Sequence, residues 1–380
     1  MSAALLAGIF SVFVFGILIA FLGGIKLKMA PRVGADDEQF GKIVAVFQWT
    51  MVVMAIVSGI ALDTFGYRAI IIGGFVLSAL AIFLVGRAQS IGTVMAVCVL
   101  LGIGGQFTNV AGNTLIPSLF PNDPSTGSNL GNTFFGLGAL LLPIITSSLF
   151  QRTRYGTALT VVALIAVAPV IFGLSGQFPE QPETFNAALA VGLLGHPVTW
   201  LAALTLFCYI GLEVSMAVWI TTYASELGAD DVSAARTLSL FYVSMMISRL
   251  IFGLQGQVTG LNLTDVGGWV LTAAALVAAV AITMMMKANQ LSGARQAVAL
   301  AGFVFGPVFP TTVGVTFQHF DPSQWGTLFG IIFAVGLIGA STLPVWIGKL
   351  AKGKSVGAGL NILRVTAVIL AVIAFILGAV

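Results

Sequence analysis

LFPNDPSTGSNLGNTFFGLGALLLP at residues 119–143 and HFDPSQWGTLFGIIFAVGLIGASTLP at 319–344 open on the same Asp-Pro-Ser, at 123–125 and again at 321–323, an offset of 198. Each copy runs on into a glycine-rich apolar stretch that meets a proline, Pro143 or Pro344. Apolar runs of about 20 residues, each long enough to cross a ~30 Å hydrocarbon core as a helix, recur on both sides of the two copies. Between polar breaks they fall near 4–30, 41–62, 69–87, 91–119, 129–150 and 155–173, then 197–224, 234–257, 267–287, 294–318, 325–348 and 355–379. The pattern is six plus six, and the two Asp-Pro-Ser copies occupy the fourth-to-fifth and tenth-to-eleventh connections. An all-α polytopic membrane protein with 12 transmembrane helices in two six-helix bundles is therefore expected. The bundles are 1–174 and 197–380, joined by a Pro-containing polar linker at 175–196 whose last ten residues suit a short interfacial helix.

Composition closes off the other classes. Of 380 residues, 58% are hydrophobic and 8% charged, against roughly 25% charged in a soluble domain, which excludes a water-soluble fold. The net charge of +3, from 16 Lys+Arg and 13 Asp+Glu, is too small and scattered for a nucleic-acid binder. The expected partners are the lipid bilayer and a small-molecule solute, with no nucleic acid and the protein acting as a monomer. Cys98 and Cys208 sit inside apolar runs, so neither a disulfide framework nor a CxxC metal site is on offer. The first apolar run, to about residue 30, is too long for a signal sequence and reads as a span. No Walker A, HExxH or dinucleotide pattern stands in a suitable context. An enzyme is not expected, nor a cofactor or metal, and any coupling must come from a gradient of H+, Na+ or solute.

GIALDTFGYR (59–68), between the second and third spans, resembles the loop signature G-x-x-x-D-x-x-G-x-R of the major facilitator superfamily, with Gly59, Asp63, Gly66 and Arg68 at the matching positions. Gly59 suits a close helix contact, Gly66 a tight turn, and Asp63 can accept hydrogen bonds from a helix N-terminus. A short Asp/Gly turn with no further role is the plainer alternative. The second-half counterpart, FGLQGQVTGLNLTDV (252–266), is degenerate, so only the first latch is expected. YIGLEVSMAVWITTY (209–223) is similar to the seventh helix of the fucose:proton symporter family of sugar permeases, through Tyr209, Gly211, Glu213, Val214, Ser215, Trp219 and Tyr223. The resemblance implies a major facilitator fold, alternating access and a solute site near the bilayer midplane between the halves. That family's proton-coupling acids in the first and fourth helices are missing here. The first span has no acid, and GIGGQFTNVAGN (102–113) carries Gln106, Asn109 and Asn113.

Asn109 and Asn113 share one helix face and Gln106 extends it, a pattern that suits a hydroxyl-rich solute because amides both donate and accept. Gln48, Trp49, Asn132, Tyr209 and Trp219 are further solute-binding candidates, with interhelical hydrogen bonding as the alternative for each. Glu213, deep in an apolar run, needs a partner or a task. Arg249, at a similar depth in the eighth span, is the expected partner, while exchange of Glu213 between that partner and a solute hydroxyl or ion is the functional alternative. Lys26 and Lys28 can snorkel to the first span's end. Arg364 sits mid-span without an evident partner, and His196 and His319 are interfacial.

Orientation is contested within the sequence. The superfamily signature puts the 63–68 loop and the termini in the cytoplasm. Yet Lys26, Lys28, Arg32, Lys42, Arg87, Arg152, Arg154, Arg236, Lys287, Arg295, Lys349, Lys352 and Lys354 all fall on the opposite side, where the positive-inside rule would place the cytoplasm. If the signature prevails, the outer face is strongly basic. The functional expectation is a secondary carrier of a small polyhydroxylated solute, a sugar, in the bacterial inner membrane. An organic-anion or acidic-sugar carrier, or an exporter of amphipathic compounds, is the alternative.

Overall fold

In the computed structural model, residues 2–179, 187–351 and 356–380 are described, and every regular element among them is helical. Part of the expected linker, 180–186, together with Lys352 and Lys354, lies outside the described residues. The helices are α1 (Ala3–Val33), α2 (Asp37–Val85), α3 (Ile91–Ser118), α4 (Pro124–Arg152), α5 (Tyr155–Val167), α6 (Val170–Ser175) and α7 (Ala187–Gly195). They continue with α8 (Pro197–Glu226), α9 (Asp231–Thr259), α10 (Gly267–Lys287), α11 (Leu291–Phe305), α12 (Val308–Phe317), α13 (Trp325–Ala351), preceded by a 3-10 turn at Pro322–Gln324, and α14 (Val356–Ala379).

These elements carry the twelve spans. The second and third share the 49 residues of α2, whose backbone leaves the helix at Gly66 (φ 74, ψ 169), a left-handed φ that glycine adopts without a Cβ penalty. The sixth and tenth are each split near a proline, Pro169 and Pro307, which cannot donate to the preceding turn. The short α7 occupies the expected interfacial stretch. Helix starts are set by side chains that take up orphan amides: Ser2 for α1, Asp36 with Gln39 in a reciprocal capping box for α2, Ser90 for α3 and Asp230 for α9.

Contacts divide the chain into two units. One comprises Met1–Leu119, Phe134–Ala190 and Pro322–Gly330; the other comprises Phe120–Thr133, Val191–Asp321 and Ile331–Val380. The first turns of α4 thus group with the second unit, and the first turns of α13 with the first. Within the first unit α3 packs on α1 and α2, while α5 packs on α2; within the second, α10 packs on α11 and α14, and α8 on α9 and α14. The two units share a packing device. A Cβ on Gly138 of α4 would collide with the Phe13 carbonyl of α1, and one on Gly339 of α13 with the Phe207 carbonyl of α8. Small residues permit this backbone approach, which is how helices associate where lipid offers no hydrophobic drive.

Candidate functional site

Gln106, Asn109 and Asn113 are buried along one face of α3. Their carboxamides form a ladder: Gln106 Nε2 donates to the Met51 carbonyl of α2 at 2.9 Å, Asn109 Nδ2 to Gln106 Oε1 at 3.0 Å, and Asn113 Nδ2 to Asn109 Oδ1 at 2.9 Å. Helical spacing thus places the three side by side, as expected, and it also lets them satisfy one another. Gln106 additionally ties α3 to α2, the interhelical alternative. Gln48 and Trp49 stay exposed on α2 and lie outside this ladder.

In the second unit Arg249 gathers the other polar candidates. Its guanidinium, 3% exposed, donates from Nε to the Gly306 carbonyl at 3.0 Å, from Nη1 to the Asn132 carbonyl at 3.4 Å and from Nη2 to the Tyr209 hydroxyl at 3.2 Å. Glu213, one turn along α8 from Tyr209, is a hydrogen-bond partner of the same hydroxyl. The Tyr209 hydroxyl thus stands beside both members of the expected Glu213–Arg249 pair. Phe305 meets the buried Tyr209 ring edge-on at 6.0 Å between centroids, fixing the phenol in place. Asn132 donates from Nδ2 to the Ser128 carbonyl at 3.0 Å, and its backbone carbonyl accepts from Arg249. Trp219 donates to the Pro344 carbonyl of α13 at 3.1 Å.

The loop signature forms a latch inside the first unit. Asp63 accepts from the Gly326 amide at 3.0 Å and the Thr327 amide at 2.7 Å, two orphan donors in the first turn of α13. Gly59 permits it, since a Cβ there would strike the Gly326 carbonyl. Arg68 donates to the Leu174 and Gly176 carbonyls at 2.6 and 2.9 Å, setting positive charge on the C-terminal end of α6.

The degenerate counterpart also closes, contrary to expectation, with the carboxylate moved to the other partner. Asp123, just before α4, accepts from the amides of Leu263 at 2.9 Å and Thr264 at 3.1 Å, and from the Thr264 hydroxyl at 2.8 Å. Thr264 Oγ1 in turn accepts from the Ser125 amide at 3.0 Å. Gly253 packs on the backbone of Leu130. The sequence signal for this closure is the repeated Asp-Pro-Ser, whose first aspartate is Asp123. Of the remaining charges, Lys26 pairs with Asp37 at 2.8 Å, and Arg364 donates to Asn361 on its own helix at 2.7 Å.

Among the described residues, 11 helices are long and apolar enough to cross a membrane, one of them the kinked α2, and two acid-to-amide latches join loops to helix starts within the units. The chain belongs to the Major Facilitator Superfamily, whose model matches residues 4–339. It is similar to the inner membrane transport protein YdiN of Escherichia coli K12, 20% identical over 256 residues, which are 66% of this chain and 61% of that one. It is also similar to the probable nitrate transporter NarT of Staphylococcus haemolyticus, 25% identical over 232 residues, which are 51% of this chain and 60% of that one. The chain thus matches about three fifths of the length of each. Among solved structures, the transporter FucP in an outward conformation superposes with a TM-score of 0.83 at 17% identity over 99% of this chain and 98% of that one. The protein is a multi-pass membrane member of that superfamily, with a bacterial inner membrane transport protein among its relatives.

Proposed function

We propose that the chain is a secondary carrier of a small polyhydroxylated solute, a sugar, working by alternating access. The observation that carries this reading is the Tyr209 hydroxyl held between Glu213 and Arg249. A solute hydroxyl can replace the phenol there, accepting from the guanidinium and donating to the carboxylate. The exchange costs little because no buried charge loses its partner. Within the first unit the α3 amides are a separate polar surface, of groups that both donate and accept. The fucose:proton symporter FucP shares the fold and is itself named for a sugar. Glu213 is the coupling group in this reading, taking up H+ or Na+, since acids are absent from the first span and amides occupy the face of the fourth.

Proteoliposomes loaded with unlabelled hexose should take up labelled hexose by counterflow; no counterflow with any hexose or pentose would end the sugar assignment. A second reading, an anion carrier, is favoured by the Arg249 guanidinium, a cation held buried in the second unit, and by the likeness to NarT. Uptake of labelled nitrate or an organic acid that hexoses do not compete for would favour it.

A further inference from the structure

Away from these groups, the first unit has a cavity of about 660 Å³ lined by Arg32, Arg87, Gln89, Arg154, Tyr155 and Thr157, among others. Three guanidiniums from three separate segments converge on it: Arg32 from the last turn of α1, Arg87 from just beyond α2, and Arg154 from the residue before α5. Neutral groups hold two of them. Arg32 donates to the Ala88 carbonyl at 3.3 Å and lies over the Tyr155 ring, while Arg87 donates to the Phe83 carbonyl at 3.2 Å. Arg154 sits at the N-cap position of α5 and gives that helix no side-chain cap. The first amides of α5 are therefore left without that partner beside the cavity, with the positive end of the helix dipole. Gly156 makes the convergence possible, because a Cβ there would press on the Gly86 carbonyl at 3.2 Å.

The nearby acids are already engaged. Asp37 pairs with Lys26, Glu38 with Lys42, and Asp36 caps α2 through the Gln39 amide. Among the described residues no carboxylate pairs with Arg32, Arg87 or Arg154. Three exposed like charges and a helix N-terminus facing one space make it a positive surface that favours an anion.

We infer that this cavity binds a phosphate group, and that an anionic phospholipid head group supplies it. Guanidinium forks match phosphate oxygens in pairs. The volume lies within the range of small-molecule sites. The cavity stands at the ends of the first and third spans and the start of the sixth, the depth at which head groups lie.

The test uses the full chain in neutral detergent with cardiolipin, phosphatidylglycerol, phosphatidylcholine and inorganic phosphate as probes, read by native mass spectrometry and thermal shift. Cardiolipin and phosphatidylglycerol should bind about tenfold or more tightly over phosphatidylcholine. The R154Q variant, which changes an exposed side chain with no capping role, should lose roughly fivefold, and R32Q/R87Q/R154Q on the order of 100-fold. Should inorganic phosphate displace the lipids and stabilise the native chain but not R154Q, the site stands and free phosphate is its source. Equal binding of phosphatidylcholine, or undiminished binding of both lipid and phosphate by R154Q, would overturn the inference. The single variant keeps the test decisive if the triple variant does not fold.

Discussion

Asp63 receives the Gly326 and Thr327 amides from its place between the second and third spans, whereas Asp123 stands before α4 and receives the Leu263 and Thr264 amides from the connection between the eighth and ninth. One contact is thus built twice with the charge on opposite partners. In the first unit the signature loop holds the acid and the helix start holds the amides; in the second the helix start holds the acid. The settings differ as well. Asp63 is buried and makes two backbone bonds, while Asp123 is half-buried and gathers further bonds from the Thr126 amide and hydroxyl. What the repeat preserves is the closure of a loop against a helix N-terminus, not the residue that performs it.

The comparison is open to attack, most strongly at Asp123. Asp123→Ala strips acceptors from Leu263, Thr264 and Thr126 at once and should destabilise by about 4 kcal/mol, since hydrogen bonds to charged groups are worth roughly 1.5–3 each before solvent relieves the half-exposed ones. A melting temperature and uptake rate unchanged from the native protein would show that the second latch is idle. Asp63→Ala leaves two amides without an acceptor and should cost about 2–3 kcal/mol. Its signature should be a fall in uptake of about tenfold with little loss of folded protein; unaltered uptake would break the pairing of the two acids.

Thr264→Val sharpens the second latch further. It removes a hydroxyl that donates to Asp123 and accepts from Ser125 while keeping the volume, so about 1–2 kcal/mol should be lost in thermal unfolding. The smallest effect lies where the two copies diverge, at His319, which stands where the first copy has Pro121. Partial burial, and then the neighbouring His196, hold the His319 imidazole below its ordinary value of 6.5. A base with a depressed folded-state pKa contributes stability above the unfolded value and loses it as pH falls below 6.5. Melting between pH 7 and 5 should therefore decline less steeply in His319→Asn than in the native chain.

The twelve spans were legible because lipid demands about 20 apolar residues per crossing and leaves little latitude for polar breaks. Two spans merged into α2 only because Gly66 turns the chain without a long loop. The first latch was legible because its acid sits inside a known spacing. The second was not, because what closes it on the far side is the Leu263 and Thr264 amides, 140 and 141 residues from Asp123, and backbone amides leave no mark in sequence. For the α3 amides, helical spacing revealed the shared face but not that Gln106, Asn109 and Asn113 bond to one another. The Tyr209 hydroxyl was named as a candidate contact; that it stands between Glu213 and Arg249 depends on a packing angle of α8 against α9 that no pattern encodes.

Hexose transport by Glu213→Gln in proteoliposomes bears most directly on the site. The carboxamide keeps an acceptor for the hydroxyl but cannot take up an ion. Counterflow should persist within about threefold of the native rate while gradient-driven accumulation disappears. Accumulation that survives in Glu213→Gln at native levels, under both proton and sodium gradients, would contradict the assignment of this acid as the coupling group.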